Sequence, residues 1–430
     1  MDDTTETTGG VARGLPEEAG AAGPLSAEVS AEVPAEVCAE ERTPAGRGER
    51  PAPPAGRPTW AEVDLDALAA NYRSVRTAVG PGVRVMGVVK ADAYGHGAAA
   101  CARRLQAEGA EWFGVATPEE AAALREAGVD QSILSFGGFW GGQEALCLRE
   151  RIVPVVYRLD VAEALDRAAR AAGIVADIHV KIDTGMGRLG VRAESAAEFA
   201  DRLRGLRNLR VGGLMTHFAA ADEPGRDCFT EEQVARFREG VAAFRARGFT
   251  SAFEHAANSA GALGHPSSRF DMVRPGGVLY GLWRDVLSPQ TSAPPLRAVM
   301  SVRTRVALLK SVRAGETLGY GCTFRAGRDT LVATLPAGYH DGYMRVLSNR
   351  GRVIVNGRYA PVAGRVSMDL MLADVTDVPG VEVGTVVTLL GSDAGLSVTA
   401  EEMAAAAGTI SYEVTCGVGP RVGRLHFGSG

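Results

Sequence analysis

The chain has 430 residues, of which 46% are hydrophobic and 23% charged, with a formal net charge of -5. This composition is that of an ordinary globular protein with room for two domains. The slight acidity gives no electrostatic reason to bind nucleic acid or an anionic membrane, and no apolar run approaches the ~18 residues of a membrane helix.

Residues 1–57 contain no Phe, Trp or Tyr and are rich in Ala, Glu, Pro and Gly. Such a segment cannot bury enough apolar surface to offset its ordering entropy, so a disordered tail is expected. It lacks the basic start and apolar centre of a secretory signal and is too acidic for a transit peptide. A start assigned upstream of the true one explains it equally well. The six cysteines, at 38, 101, 147, 228, 322 and 416, include no C-x-x-C pair. Reduced thiols in a cytoplasmic setting are therefore expected, with no metal site and no disulfide framework.

Beyond the tail, short apolar runs alternate with Ala/Leu/Arg-rich helical patterns. The runs are Val85–Val89, Trp112–Ala116, Ile133–Phe136, Val153–Val156, Ile178–Ile182, Val211–Met215, Ala252–Glu254 and Met272–Tyr280. One intervening helix opens Thr117-Pro118-Glu119-Glu120, with Thr117 as N-cap, Pro118 at N1 and Glu120 at N3. Eight strands alternating with helices predict an α/β fold, a (β/α)8 TIM-like barrel over 58–293, whose site gathers at the C-terminal strand ends. Lys90, Lys181, His217 and Arg274 all fall at or just after such ends. After Pro294-Pro295 the texture changes. Met300, Val302, Thr304, Val306 and Leu308 alternate with polar residues, the signature of a half-buried strand. Further strand-like runs follow at 330–334, 352–355, 368–375 and 385–390, with one helix at 400–407, so 294–430 reads as a mainly-β domain.

Val88-Val89-Lys90-Ala91-Asp92-Ala93-Tyr94-Gly95-His96-Gly97 is the most telling stretch. A lone ammonium at the end of a buried strand is costly, and desolvation lowers its pKa toward a nucleophilic amine. That environment suits a lysine that condenses with a carbonyl, as in pyridoxal phosphate chemistry; a generic V-V-K, by contrast, is usually a surface lysine. The decapeptide resembles the cofactor-lysine motif of the alanine racemase family. Seven further motifs follow in the family's order: Lys181-Ile-Asp183-Thr-Gly-Met-Gly-Arg188, Met215-Thr-His217-Phe, Ala257-Asn-Ser259-Ala, Val273-Arg274-Pro-Gly276-Gly277, Gly319-Tyr320-Gly321, Gly364-Arg365-Val-Ser-Met368-Asp369 and Ser411-Tyr412-Glu413.

The resemblance implies a barrel, a C-terminal β domain, and a first strand (60–65) that returns to that second domain. It implies pyridoxal 5'-phosphate as cofactor and two opposed bases, since racemisation removes an α-proton from one face and returns one to the other. Lys90 is one base and Tyr320 the other, with Tyr320 acting in its partner's site across a homodimer. A phenol titrates near ~10 and needs cationic neighbours to act as a base. Arg274 is implied at the cofactor's ring nitrogen with His217 supporting it. Tyr94, Ser259, Gly276, Gly277 and Tyr412 are implied at the phosphate, and Arg188 and Met368 at the substrate carboxylate. Asp222, Arg345, Arg365 and Asp369 match residues lining the approach to the site. Lys181 matches a lysine carbamylated in many members; an unmodified Lys181 paired with Asp183 is the other reading.

The sequence departs from the family at Asp92, His340, Ser367 and Leu370, none of which removes a catalytic group, and Trp283 is a bulky residue expected near the cofactor end. The activity implied is interconversion of L- and D-alanine, supplying D-alanine for peptidoglycan. A racemase of serine or of broader range would share the same catalytic pair. A non-catalytic cofactor-binding barrel would lack the domain carrying Tyr320, and a decarboxylase would carry an acid where Arg274 stands.

Overall fold

The computed structural model describes residues 56–429. The expected tail falls outside them except for Gly56 and Arg57, and Arg57 is engaged: its guanidinium binds both carboxylate oxygens of Asp341, one at 2.8 Å.

Seven parallel strands run side by side in the order Phe253–His255, Leu209–Met215, Ala176–Asp183, Ile152–Val156, Ser132–Ser135, Trp112–Val115 and Gly87–Val88. The remaining strand, Met272–Val273, pairs with Arg84–Val85 just ahead of Gly87–Val88. Single backbone bonds, Asp271 N–H to Glu254 O at 3.0 Å and Arg274 N–H to Ala257 O at 2.9 Å, tie it back to the Phe253–His255 side. The ring is an eight-stranded α/β barrel. Met86, Leu134, Val153, Val155, Met215 and Met272 fill its interior, each large side chain contributing roughly 1.5–3 kcal/mol by leaving water. The helices pack outside. Asp64 accepts from Ala67 N–H at 2.8 Å to start Leu65–Val79, and Gly173 ends Leu159–Ala172 in the left-handed conformation.

The last barrel run is shorter than its apolar pattern. Extended backbone stops at Val273, and Gly277–Tyr280 forms a 3-10 turn, because Pro275 cannot donate to a ladder and the two glycines that follow allow the chain to fold back.

The C-terminal part is mainly β. One sheet has the order Arg358–Pro361, Arg352–Val355, Val386–Asp393, Met300–Arg305, Thr59–Asp64 and Gly423–Phe427. The first strand of the chain thus lies among the last. A buried Glu62–Arg303 pair at 2.9 Å and the Trp60 indole N–H on Glu62 at 3.1 Å fix it there. The alternation from Met300 to Leu308 is two strands. The backbone passes from the first sheet to a second at Val306 and Ala307, which donate to Thr385 O and Thr334 O. The second sheet joins Leu308–Val312, Thr330–Leu335 and Met371–Asp374. Met368, expected in a strand, lies in the turn before Met371–Asp374. The hairpin Thr317–Leu318/Phe324–Arg325 carries Tyr320 at its tip.

Candidate active site

Lys90 leaves the barrel directly after Gly87–Val88 and opens a left-handed turn. Ala91, Asp92, Ala93 and Tyr94 have φ of 53°, 52°, 54° and 56°. With no glycine among them, this conformation costs roughly 1–2 kcal/mol per residue, so other groups must hold it. Ala91 N–H donates to Glu120 Oε1 at 2.7 Å. His96 Nδ1 lies 2.9 Å from Ala93 O and 3.0 Å from Tyr94 O. From the final strand, Arg424 Nε donates to Gly95 O at 3.0 Å and His426 Nε2 to His96 O at 2.8 Å. The half-buried Lys90 amine is lowered by burial and then by the Arg188 charge.

Beside the turn is a ring of hydrogen-bonding groups. Ser259 Oγ accepts from Gly276 N–H at 3.0 Å. A Cβ on Gly276 would run into the Tyr94 hydroxyl, and one on Gly277 would stand 2.7 Å from the Tyr412 hydroxyl. The Tyr94 and Tyr412 rings are 5.4 Å apart. Burial raises both phenols, so each stays a neutral donor. Two backbone N–H groups and three hydroxyls converge where only glycine leaves space, a donor set suited to a phosphate.

Arg274 follows Met272–Val273 and is buried. Its NH2 donates to Thr216 O at 2.6 Å and Ala256 O at 2.8 Å and lies 3.3 Å from His217 Nδ1. Its NH1 lies 2.9 Å from His255 Nδ1. Burial pulls the guanidinium down to about 9, which leaves it charged at neutral pH, and burial followed by the Arg274 charge keeps His217 well below its ordinary value. Lys181 is buried near the end of its strand and lowered to about 8, first by burial and then by Arg188 and Arg274. Asp183 spends its Oδ1 on Gly185 and Gly187 N–H at 3.1 and 3.0 Å, in the turn toward Arg188. The Lys181–Asp183 ion pair, one of the two readings of this lysine, is not formed among the described residues. Among the described residues no carboxylate forms an ion pair with Lys90, Lys181, Arg188 or Arg274, although the Glu120 and Asp183 charges act on Lys90 and Lys181 from farther off, so the barrel mouth is a cationic site suited to anionic groups.

The remaining residues lie apart. Tyr320 is 70% exposed and Met368 51%, and no hydrogen bond among the described residues links Tyr320 to Lys90 or Arg188. A Cβ on Gly321, next to Tyr320, would stand 2.7 Å from the Arg365 guanidinium. Asp369 binds Arg421 at 2.7 Å. Trp283, expected near the cofactor end, has Arg284 over its ring and its backbone N–H on Glu401. A single chain therefore assembles the Lys90–Arg274 half of the expected set and holds Tyr320 and Met368 out in water.

Residues 63–283 match the family model described as alanine racemase, N-terminal domain, and 299–426 match alanine racemase, C-terminal domain. The chain belongs to the alanine racemase family. It is 45% identical over 365 residues to the alanine racemase of Syntrophobacter fumaroxidans, covering 84% of this chain and 95% of that protein. The crystal structure of alanine racemase from the D-cycloserine producer Streptomyces lavendulae is 38% identical with a TM-score of 0.82, covering 87% of this chain and 98% of that one. The Bartonella henselae alanine racemase, solved with covalently bound pyridoxal phosphate, is 28% identical with a TM-score of 0.77, covering 86% and 100%.

Two contributors escaped the motif reading. Glu120 looked like half of a capping box, yet its carboxylate binds Ala91 N–H and Ala116 N–H. His255 ends the strand Phe253–His255 and touches Arg274; only its place one residue past the apolar run 252–254 hinted at a site.

Proposed function

We propose that this chain interconverts L- and D-alanine, as a homodimer in the cytoplasm, and so supplies D-alanine for peptidoglycan. The observation that carries this reading is the cationic mouth, ion-paired with no carboxylate among the described residues, set beside the Tyr94, Ser259, Gly276, Gly277 and Tyr412 donors. These residues fit pyridoxal phosphate: the donors would hold its phosphate, Lys90 its carbonyl carbon and Arg274 its ring nitrogen. When bound, the cofactor supplies the electron sink that makes a weakly acidic α-proton removable.

The chain's own residues do the rest. Lys90, its ammonium already disfavoured by burial, exchanges a proton on one face of the substrate. Arg274 is donor-only and stays charged, so it leaves the ring nitrogen unprotonated, while His217 accepts from it and restrains it. Arg188 and Met368 bind the substrate carboxylate. Tyr320 from the partner copy serves the opposite face, which its exposure on a lone chain leaves free to happen.

Lys181, lowered to about 8, carries more of the free amine that reaction with carbon dioxide requires than an ordinary lysine does. A carbamate there would place an anion among Arg188, Arg274 and Lys90, and orient Arg188. Alanine is favoured over serine or a broader range by the relatives' activity. Turnover of L-alanine, L-serine and L-lysine, measured side by side, tests the reading: alanine should lead clearly, and equal turnover of all three would overturn the assigned substrate.

A further inference from the structure

Below Arg274, inside the barrel, lie two buried imidazoles that the proposed chemistry does not use. His255 Nδ1 is 2.9 Å from Arg274 NH1, and His255 Nε2 is 2.8 Å from His179 Nδ1. We propose that His255 and His179 form a neutral hydrogen-bond relay of fixed direction that holds Arg274 in place without cancelling its charge. The relay's bearing on the cofactor rests on the function proposed above; its existence does not.

The direction follows from donor arithmetic. A guanidinium has no acceptor, so His255 Nδ1 must offer a lone pair. The proton of neutral His255 is then on Nε2 and points at His179 Nδ1, which must accept it. His179 is thereby fixed with its own proton on Nε2. Protonating His255 would set two donors against each other at Arg274, and protonating His179 would do so at the imidazole contact. Burial opposes it too, lowering His255 well below its ordinary value and His179 to about 3.

The site is built for this pair. A Cβ on Gly213 would stand 2.6 Å from the His179 ring, so glycine makes the room. Trp112 and Phe253 flank the ring with centroids 5.2 and 6.3 Å away. A Cβ on Gly212 would be 3.8 Å from both His179 Nε2 and Asp177 Oδ1. Asp177, whose charge acts on His179, is already bound by Arg210 at 2.6 Å.

The benefit is electrostatic. Every partner of Arg274 is uncharged: two carbonyls and two imidazoles. A carboxylate in place of His255 would grip the guanidinium as well, but would neutralise the charge facing the pocket. His255 and His179 are thus positioning residues, acting through Arg274.

The decisive experiment is long-range proton–nitrogen NMR on the holoenzyme with 15N-labelled histidine, with the two signals assigned by their loss in single variants. Both rings should show the Nε2–H tautomer and should not titrate between about pH 6 and 8. A doubly protonated ring, or an Nδ1–H on either, overturns the proposal whether or not the enzyme turns over alanine. Two variants test the consequence. His179→Leu removes the acceptor, and His179→Asn restores one near the Nδ1 position. The leucine variant should lose the fixed His255 tautomer and release cofactor about tenfold faster, the size of one lost buried hydrogen bond, with kcat falling more than KM changes. The asparagine variant should recover most of both. Equal behaviour of the two variants would reduce His179 to packing and overturn the relay.

Discussion

At the barrel mouth, Lys181 and Arg274 are each only 4% exposed, whereas on the β domain Tyr320, Met368 and Leu370 are 70%, 51% and 45% exposed. In the first region the buried Arg274 charge is met by uncharged groups, two carbonyls and two imidazoles, in place of carboxylates. The second leaves large apolar side chains in water, which a lone domain has no reason to do and which a second copy would cover. Under the function proposed above, one chain would build the anion-binding, cofactor-holding half of a site and carry the other half on a different surface. Each half should then fail in its own way.

The largest effect is expected at the barrel half. Lys90→Ala should abolish racemisation in both directions and remove the absorbance of covalently held cofactor. An unchanged band in that variant would dismiss Lys90 as the anchor.

Next, Tyr320→Phe should cut turnover by at least the ~10²-fold typical of a lost general base, yet leave cofactor content and dimerisation intact, because only a hydroxyl is removed. Lys90 would still work its own face, that of the D-enantiomer by family resemblance. D-alanine should therefore exchange its α-proton with solvent deuterium faster than L-alanine does, and equal rates would break the division between the halves.

The smallest effect concerns stability where the start of the chain meets the β domain. Burial alone would raise the Asp341 carboxyl, but bonds from Arg57, Arg421 and Gly338 N–H outweigh it and hold it below its ordinary value. Such a group stabilises the fold above the ordinary carboxylate range and stops doing so as pH falls through its native value. Asp341→Asn should cost about 2 kcal/mol near neutral pH, discounted because both arginines are about a third exposed. Its thermal midpoint should converge with that of the parent on acidification. A gap constant with pH would remove the ionic account of this contact.

Much of this was legible in the chain. Eight apolar runs located eight strands because a parallel barrel buries each strand on both faces, and the 400–407 helix stands where its composition put it. The place of Lys90 at a strand end was legible because one cation ends an apolar run, but the role expected of it came from the resemblance of the whole decapeptide. What stayed hidden depends on distant partners. Ala91–Tyr94 offers no glycine or asparagine to announce a left-handed turn, which exists only because Glu120, His96, Arg424 and His426 clamp it. The sheet change at Val306 continues the same alternation and leaves no mark in the pattern. The His179–His255 contact spans 76 residues, and no local spacing could reveal it.

The central claim, that the working site is shared between two copies, is tested most directly by mixing inactive Lys90→Ala and inactive Tyr320→Phe subunits. After subunit exchange each heterodimer would contain one site with both defects and one with neither, so activity should partly return in proportion to heterodimer formed. No recovery, with heterodimers demonstrated, would place Tyr320 in its own chain's site or outside the chemistry.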